Sequence, residues 1–260
     1  TIVRIWHLKD LRRSILFVLG VLFIFRIAAH IPIPGVDVAN LKAFFSGNAI
    51  LGLLNVFSGG TMENFSVVAL GIGPYITASI IFQLLAMVIP ALEAITKEGE
   101  SGQRRINQWT RWATVPLAAL QAFGLLTLLK QSPRPILGEL TPATYVLTIL
   151  TLTAGTMFMM WIGELISEKK IGNGISLLIF AGIVAGLPTA IQQALVTYDP
   201  SQILNLVLFA AIAVITVVGV VLITQAQRNI PVSYARRVRG MRMYGGVDSH
   251  LPLRVNMAGV

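Results

Sequence analysis

The sequence predicts an all-α polytopic membrane protein with six transmembrane helices and one short re-entrant half-helix. Three observations carry that prediction. Of the 260 residues, 55% are hydrophobic and only 12% are charged, where a soluble domain carries roughly 25%, and the mean hydropathy is +0.77. Six apolar runs approach or exceed the roughly 20 residues a helix needs to cross a hydrocarbon core. Lys and Arg are shared unevenly among the connections between those runs, the pattern that sets membrane orientation.

The runs are Ile15 to Pro32, Val67 to Pro90, Ala113 to Leu129, Thr144 to Ile166, Ile171 to Ala190 and Ile203 to Gln225. The first follows Arg4, Lys9, Arg12 and Arg13, as a signal peptide would. The apolar stretch from Ser14 to Ile31 is longer than the 7–15 residues of a signal core, so it reads as a retained first span. Threading the spans puts sixteen Lys and Arg on one side and only Lys42, Lys130 and Arg134 on the other, with Arg26 inside a span. Both chain ends are therefore expected in the cytoplasm. After the first span, IPIPGVD is a Pro/Gly turn, and the apolar stretch Ala49 to Phe57 that follows is about nine residues, too short to cross. It should dip into the membrane or lie on a surface, and at membrane depth the non-helical Ser58-Gly59-Gly60 after it must be surrounded by protein or by a water-filled cavity. On the cytoplasmic side, EAITKEGESGQRRINQWTR and Gln227 to Arg254 read as charged, glycine-broken loops. PLRVNMAGV at the end resembles the start of another span, so the chain reads as part of a longer protein.

In the second span Ile72 and Ile76 stand four residues apart, and so do Ile175 and Ile179 in the fifth. Each pair stacks on one helical face. Such pairs can form a hydrophobic constriction, although spacing alone favours packing or lipid-facing isoleucine and does not carry that claim. Gly71, Gly73 and Pro74 make the start of the second span deformable. Arg26 lies six residues from the outer end of its span, about 9 Å along a helix, within reach of a snorkelling arginine. Gln83 and Gln121 sit inside the second and third spans, where a polar side chain either joins helices or lines a path. Arg236, Arg237, Arg239 and Arg242, with Tyr234 and Tyr244 among them, form either a positive-inside anchor or a docking surface for an acidic or RNA-containing partner; the length and glycines favour docking. Arg104 and Arg105 mark a second, less basic surface.

Several chemistries find no support. There are no cysteines, and His7, His30 and His250 lie far apart, so no metal site or thiol chemistry is indicated and no cofactor is expected. GIGPY lacks the third glycine of a dinucleotide fingerprint, and Asn64-Phe65-Ser66 matters only in a eukaryotic secretory setting. No nucleophile and base pair suggests an enzyme. A secondary transporter would need polar ligands at the midplane, where this chain offers isoleucine and glycine. A non-conducting scaffold is the other alternative.

FRIAAHIPIPGVD, NVFSGG, ALGIGPYITASIIFQLL, KEGESGQRRINQWTR, GTMFMMWIGELISEKKIGNGISLLIFAGIVAGLP and SHLPLRVNMAGV, in this order, closely resemble the SecY family, the channel subunits of the general secretory translocase, in a bacterial or plastid-like form. The resemblance runs from Leu11 to Val260. It implies the first half of an inverted-repeat bundle: residues 1–196 would be a five-span half with a plug region at 48–64, residues 197–226 the sixth span, and 227–260 a basic cytoplasmic loop leading to a seventh. It also implies a pore ring of Ile72, Ile76, Ile175 and Ile179. The plug and hinge would comprise Leu51, Leu54, Asn55, Phe57, Ser58, Gly59 and Gly60, and Gln83 and Gln121 would lie on one lateral-gate wall. Arg104, Arg105, Arg236, Arg237, Arg239 and Arg242 would dock the ribosome or the SecA motor. SecE and SecG subunits, a signal sequence or nascent polypeptide, and membrane lipid are the implied partners. The implied location is the bacterial plasma membrane, with the thylakoid membrane as the alternative. Gly73 stands where the family pattern suggests methionine, which makes the second span's start more flexible.

Overall fold

A computed structural model describes residues 9–47, 51–53, 55, 58–132, 135–138, 141–196, 203–232, 237–239, 242–244 and 249–254. The chain divides into two compact units, Thr1–Gln192 and Gln193–Val260. The first unit is helical. Helix α1 spans Lys9–Ala28, α2 Val38–Ser46, α3 Gly73–Val88, α4 Pro90–Lys97, α5 Glu100–Lys130 and α6 Pro142–Glu168, and α7 spans Gly174–Val196. The second unit carries α8, Ile203–Gln225, followed by four short strands.

Among the described residues four helices, α5 to α8, are long and apolar enough to cross a membrane. A fifth candidate is the pair α3 and α4, bent by 104° at Ile89. This is fewer than the six runs of the sequence reading, and the difference has a physical basis. Helix α1 includes Lys9, Asp10, Arg12 and Arg13 in its opening turns and Arg26 in its last, which leaves a short uncharged stretch. The predicted second span is not helical before Gly73. Residues 67–72 form tight turns in which the Val67 N–H donates to the Ile31 carbonyl at 3.0 Å and Gly71 takes φ +55°. Pro74 then starts the helix, which Pro90 ends after 16 residues.

Two segments read as loops are ordered differently. The charged stretch between the second and third spans is a helical hairpin: α4, a turn at Gly99, and a 31-residue α5 whose polar first turns extend the predicted third span. At about 1.5 Å per residue α5 is about 46 Å long, well over the hydrocarbon thickness. The basic segment after α8 contains strands. β1, Gln227–Val232, pairs antiparallel with β4, Ser249–Arg254, and β2, Arg237–Arg239, pairs with β3, Arg242–Tyr244. The part of PLRVNMAGV that is described, Pro252 to Arg254, belongs to β4. Helix α2 is absent from the sequence reading. Asp37 caps it by accepting from the Ala39 and Asn40 backbone N–H groups at 2.9 and 3.2 Å.

In the first unit α3 packs on α5 and α6, α5 on α6, and α1 on α6. The α5 face toward the bundle is a stripe of residues spaced four apart, Ile106, Thr110, Thr114, Ala118, Ala122 and Leu126, whose central threonines and alanines are small enough for close helix approach. Its buried threonines donate to carbonyls four residues back, Thr110 to Ile106 at 2.9 Å and Thr114 to Thr110 at 2.7 Å. Polar atoms are thus satisfied without leaving the helix, as an apolar medium requires. Two apolar clusters result. One joins Ile33, Leu41, Phe45, Phe65, Leu126 and Leu152, and the other joins Val18, Val21, Phe25, Ile72, Met159, Ile162 and Leu178.

Candidate pore and plug site

The second cluster borders a cavity of about 260 Å³ lined by Phe25, Ser58, Met62, Leu70, Gly71, Ile72, Gly73, Ile76, Met159, Leu178 and Ile179. Three of the four predicted ring isoleucines therefore meet at one space. Ile72 is not inside the helix but is its cap residue, 6% exposed, and its carbonyl accepts from the Ile76 N–H at 3.1 Å. That bond closes the first turn of α3 and sets Ile76 after Ile72. Ile175 is placed differently. Asn173 caps α7 by accepting from the Ile175 and Ser176 N–H groups, and the Gly174 N–H donates to Ser167 Oγ at 2.9 Å. This anchors the start of α7 on α6, where the Ile175 side chain lies against Gly163 and does not line the cavity.

One wall of the cavity is the turn after the short apolar helix. Leu51 and Asn55 are helical, and Leu51 packs against the first apolar cluster; Leu54 and Phe57 lie outside the described residues. Asn55 organises the turn. Its side chain donates to Glu63 Oε2 at 2.8 Å and accepts from the Glu63 N–H at 3.0 Å, while its carbonyl accepts from Ser58 Oγ and from the Gly60 N–H, each at 2.9 Å. Thr61 and Ser66, both buried, add hydroxyl bonds to the Ser58 and Thr61 carbonyls. Gly59 and Gly60 take φ +73° and +77°, which only glycine adopts without strain. Phe65 takes φ +42° while fully buried, an unusual conformation for a bulky residue. Ser58, Gly59 and Gly60, read as part of the plug and hinge, belong to a hydrogen-bonded knot.

Two contacts of this knot escaped sequence reasoning. Arg26 Nη1 donates to the Gly59 carbonyl at 3.3 Å, so the half-buried Arg26 has a backbone acceptor inside the protein. Gly59 also lies against Gly182 of α7, so closely that a Cβ on Gly59 would sit 2.7 Å from the Gly182 Cα. A charge at membrane depth signalled Arg26 in advance, while nothing in the sequence signalled Gly182. A third missed contact is Arg111 Nε with Glu164 Oε1 at 2.6 Å, an ion pair joining α5 to α6.

The remaining candidates are dispersed. Gln83 is exposed, bonds Ser79 Oγ at 3.3 Å, and lines a groove of about 610 Å³ with Phe82, Met87, Lys97, Gln103 and Ile106. Gln121 is half-buried beside Gly73, so the two glutamines lie near opposite ends of the α3–α5 contact. Arg104 and Arg105 are on the exposed first turns of α5, paired with Glu100 at 2.8 Å and Glu98 at 3.7 Å. Arg237 and Arg239 are in β2, where Arg239 pairs with Arg242 of β3 across the ladder. Arg236 lies outside the described residues.

Comparison with known proteins supplies a family. A family model described as SecY matches residues 66–260. The chain is 47% identical over 259 residues to the protein translocase subunit SecY of Escherichia coli strain K12, covering 97% of this chain and 58% of that protein. It is 46% identical over 259 residues to SecY of Buchnera aphidicola subsp. Acyrthosiphon kondoi, covering 97% and 73%. It is 43% identical over 270 residues to SecY of Streptomyces scabiei, covering 99% and 62%. The chain thus spans less than two thirds of the length of most of these relatives. With its apolar helices, its broken span and this match over three quarters of its length, the chain is a membrane protein of the SecY family.

Proposed function

We propose that this chain forms the first half of a protein-conducting channel, with residues 1–196 as a five-span half, 197–226 as the sixth span and 227–260 as a cytoplasmic docking segment. The observation that carries the reading is the shared cavity, in which Ile72, Ile76 and Ile179 face the turn that follows the short apolar helix. Branched apolar side chains around a narrow space exclude hydrated ions, since water leaves a hydrophobic constriction readily. A helix too short to span, joined through a glycine turn, is a natural stopper for such a space.

In this mechanism an unfolded polypeptide enters from the cytoplasm, displaces the plug of residues 48–64 and passes between the isoleucines. A sufficiently hydrophobic signal sequence or nascent segment leaves sideways into lipid past the wall carrying Gln83 and Gln121. Ile175 would join the ring after a small rotation of α7 about its Asn173 cap. Arg104 and Arg105 in the first unit, and separately Arg236, Arg237, Arg239 and Arg242 in the second, would receive the ribosome or SecA, which supply the work. SecE and SecG would complete the complex in the bacterial plasma membrane, with both ends of this chain in the cytoplasm. The names of the relatives, protein translocase subunits, support this role.

The test is electrical. Replacing Ile72, Ile76, Ile175 and Ile179 with glycine in the complete channel should raise its resting ion conductance in a planar bilayer. Conductance equal to that of the parent would overturn the assignment.

A further inference from the structure

The plug turn is held from two sides by contacts that the pore reading does not require. On one side, Arg26 of α1 donates from Nη1 to the Gly59 carbonyl at 3.3 Å. Among the described residues no carboxylate lies within ion-pair distance of Arg26, so this carbonyl is the acceptor its charge is given. A guanidinium at membrane depth without an anion depends on backbone dipoles, and a charge-assisted bond there is stronger than one in water. Gly59, which presents this carbonyl, sits at φ +73°. The His30 ring donates from Nδ1 to the Arg26 carbonyl at 2.7 Å and secures the end of the helix that carries Arg26.

On the other side the Gly59 and Gly182 backbones touch. A Cβ at Gly182 would sit 3.1 Å from the Gly59 Cα, as one at Gly59 would sit 2.7 Å from the Gly182 Cα. A side chain at Gly59 cannot fit without moving the Gly182 backbone, and one at Gly182 would press on Gly59, so the turn lies flat on α7 with glycine at both positions. Phe25, next to Arg26, and Ile179, one helical turn before Gly182, both line the cavity. The two contacts therefore bracket the cavity wall.

We propose that Arg26 and Gly182 form a latch that fixes the plug turn between α1 and α7, and that Arg26 is a positioning residue for closure. This rests on the channel reading above. Displacing the plug must break the Arg26 bond and leave the guanidinium facing the cavity without its acceptor, which is a barrier to accidental opening. An incoming polypeptide offers backbone carbonyls of the same chemistry, so it can take over the bond as the plug leaves.

The test uses the absence of cysteine from this sequence. In the complete channel, with any cysteine outside these residues or in the partner subunits replaced and the complex reconstituted in proteoliposomes, Ser58→Cys is the reporter thiol, and its labelling rate by a membrane-impermeant maleimide is measured at rest. Arg26→Met should raise that rate by about tenfold or more, the usual consequence of losing a hydrogen bond from a charged group. Arg26→Lys, which keeps a cationic donor, should fall between parent and Arg26→Met. Gly182→Ala should raise the rate as well, because its methyl pushes on Gly59. Labelling of Arg26→Met at the parent rate overturns the latch. If Arg26→Met does not assemble, parent-rate labelling of Gly182→Ala overturns it instead. The isoleucine variants run alongside separate the two readings: raised conductance with unchanged labelling removes the latch alone, and unchanged conductance removes the pore ring.

Discussion

The turn of residues 58–66 and the turn of residues 97–102 share their ingredients, glycines, hydroxyl side chains and charges, yet different forces hold them. In the first, Thr61 and Ser66 are buried, their hydroxyls bond backbone carbonyls, and Asn55 exchanges two hydrogen bonds with Glu63. In the second, the charges are exposed and pair with one another, Lys97 with Glu93 at 2.6 Å, Arg104 with Glu100 at 2.8 Å and Arg105 with Glu98 at 3.7 Å. Exposed pairs contribute little, because water and salt screen them and long side chains lose entropy in forming them. Buried hydrogen bonds matter more, since a lost partner leaves a desolvated group behind. The comparison teaches that composition marks a turn and burial decides its strength.

The largest effect should come from Gly59→Val, which adds a branched side chain at φ +73° against the Gly182 backbone. A loss of about 3 kcal/mol or more is expected, read as a lower unfolding temperature of the complex in detergent. Next is Gly102→Ala. Gly102 is the buried residue of the second turn, and a methyl there would run into the Ile95 carbonyl of α4. Prying α4 from α5 should cost about 2 kcal/mol, and faster proteolysis between residues 97 and 102 would report it. This variant sharpens the comparison, because a packing contact should dominate even where the ion pairs do not.

Asn55→Ala removes both bonds to Glu63 and should cost about 1 kcal/mol in the same unfolding assay. The smallest effect belongs to Arg104→Ala, below about 0.5 kcal/mol and indistinguishable from parent in high salt. A loss from Arg104→Ala equal to that from Asn55→Ala would break the comparison outright.

Much of the helical framework was legible because hydropathy and length are local properties. Helix α8 occupies Ile203–Gln225, the span read from the run of apolar residues. The start of α3 was not legible. Val67 to Ile72 is as apolar as a helix, but its backbone is satisfied by Ile31 and by turns, which hydropathy cannot distinguish. The strands of the basic segment were hidden for another reason. Ile230 pairs with Leu251 across twenty-one positions, and Pro231 and Pro252 argue against strands when read singly. Of the site, the isoleucine spacing and the glycine doublet were visible, and the departure of Ile175 was not, because the Asn173 cap and the Gly163 contact set it.

The sequence by itself determined that the chain enters a membrane, where most of its spans lie, and that a short apolar helix precedes a glycine turn, because these follow from transfer free energy and backbone freedom. Only the tertiary structure decided that Arg26 donates to the Gly59 carbonyl and that Gly182 meets Gly59. The reason is physical. Arg26 reaches an acceptor 33 residues away, and that distance is closed by the packing of α1, α6 and α7 around the turn, which no local pattern encodes.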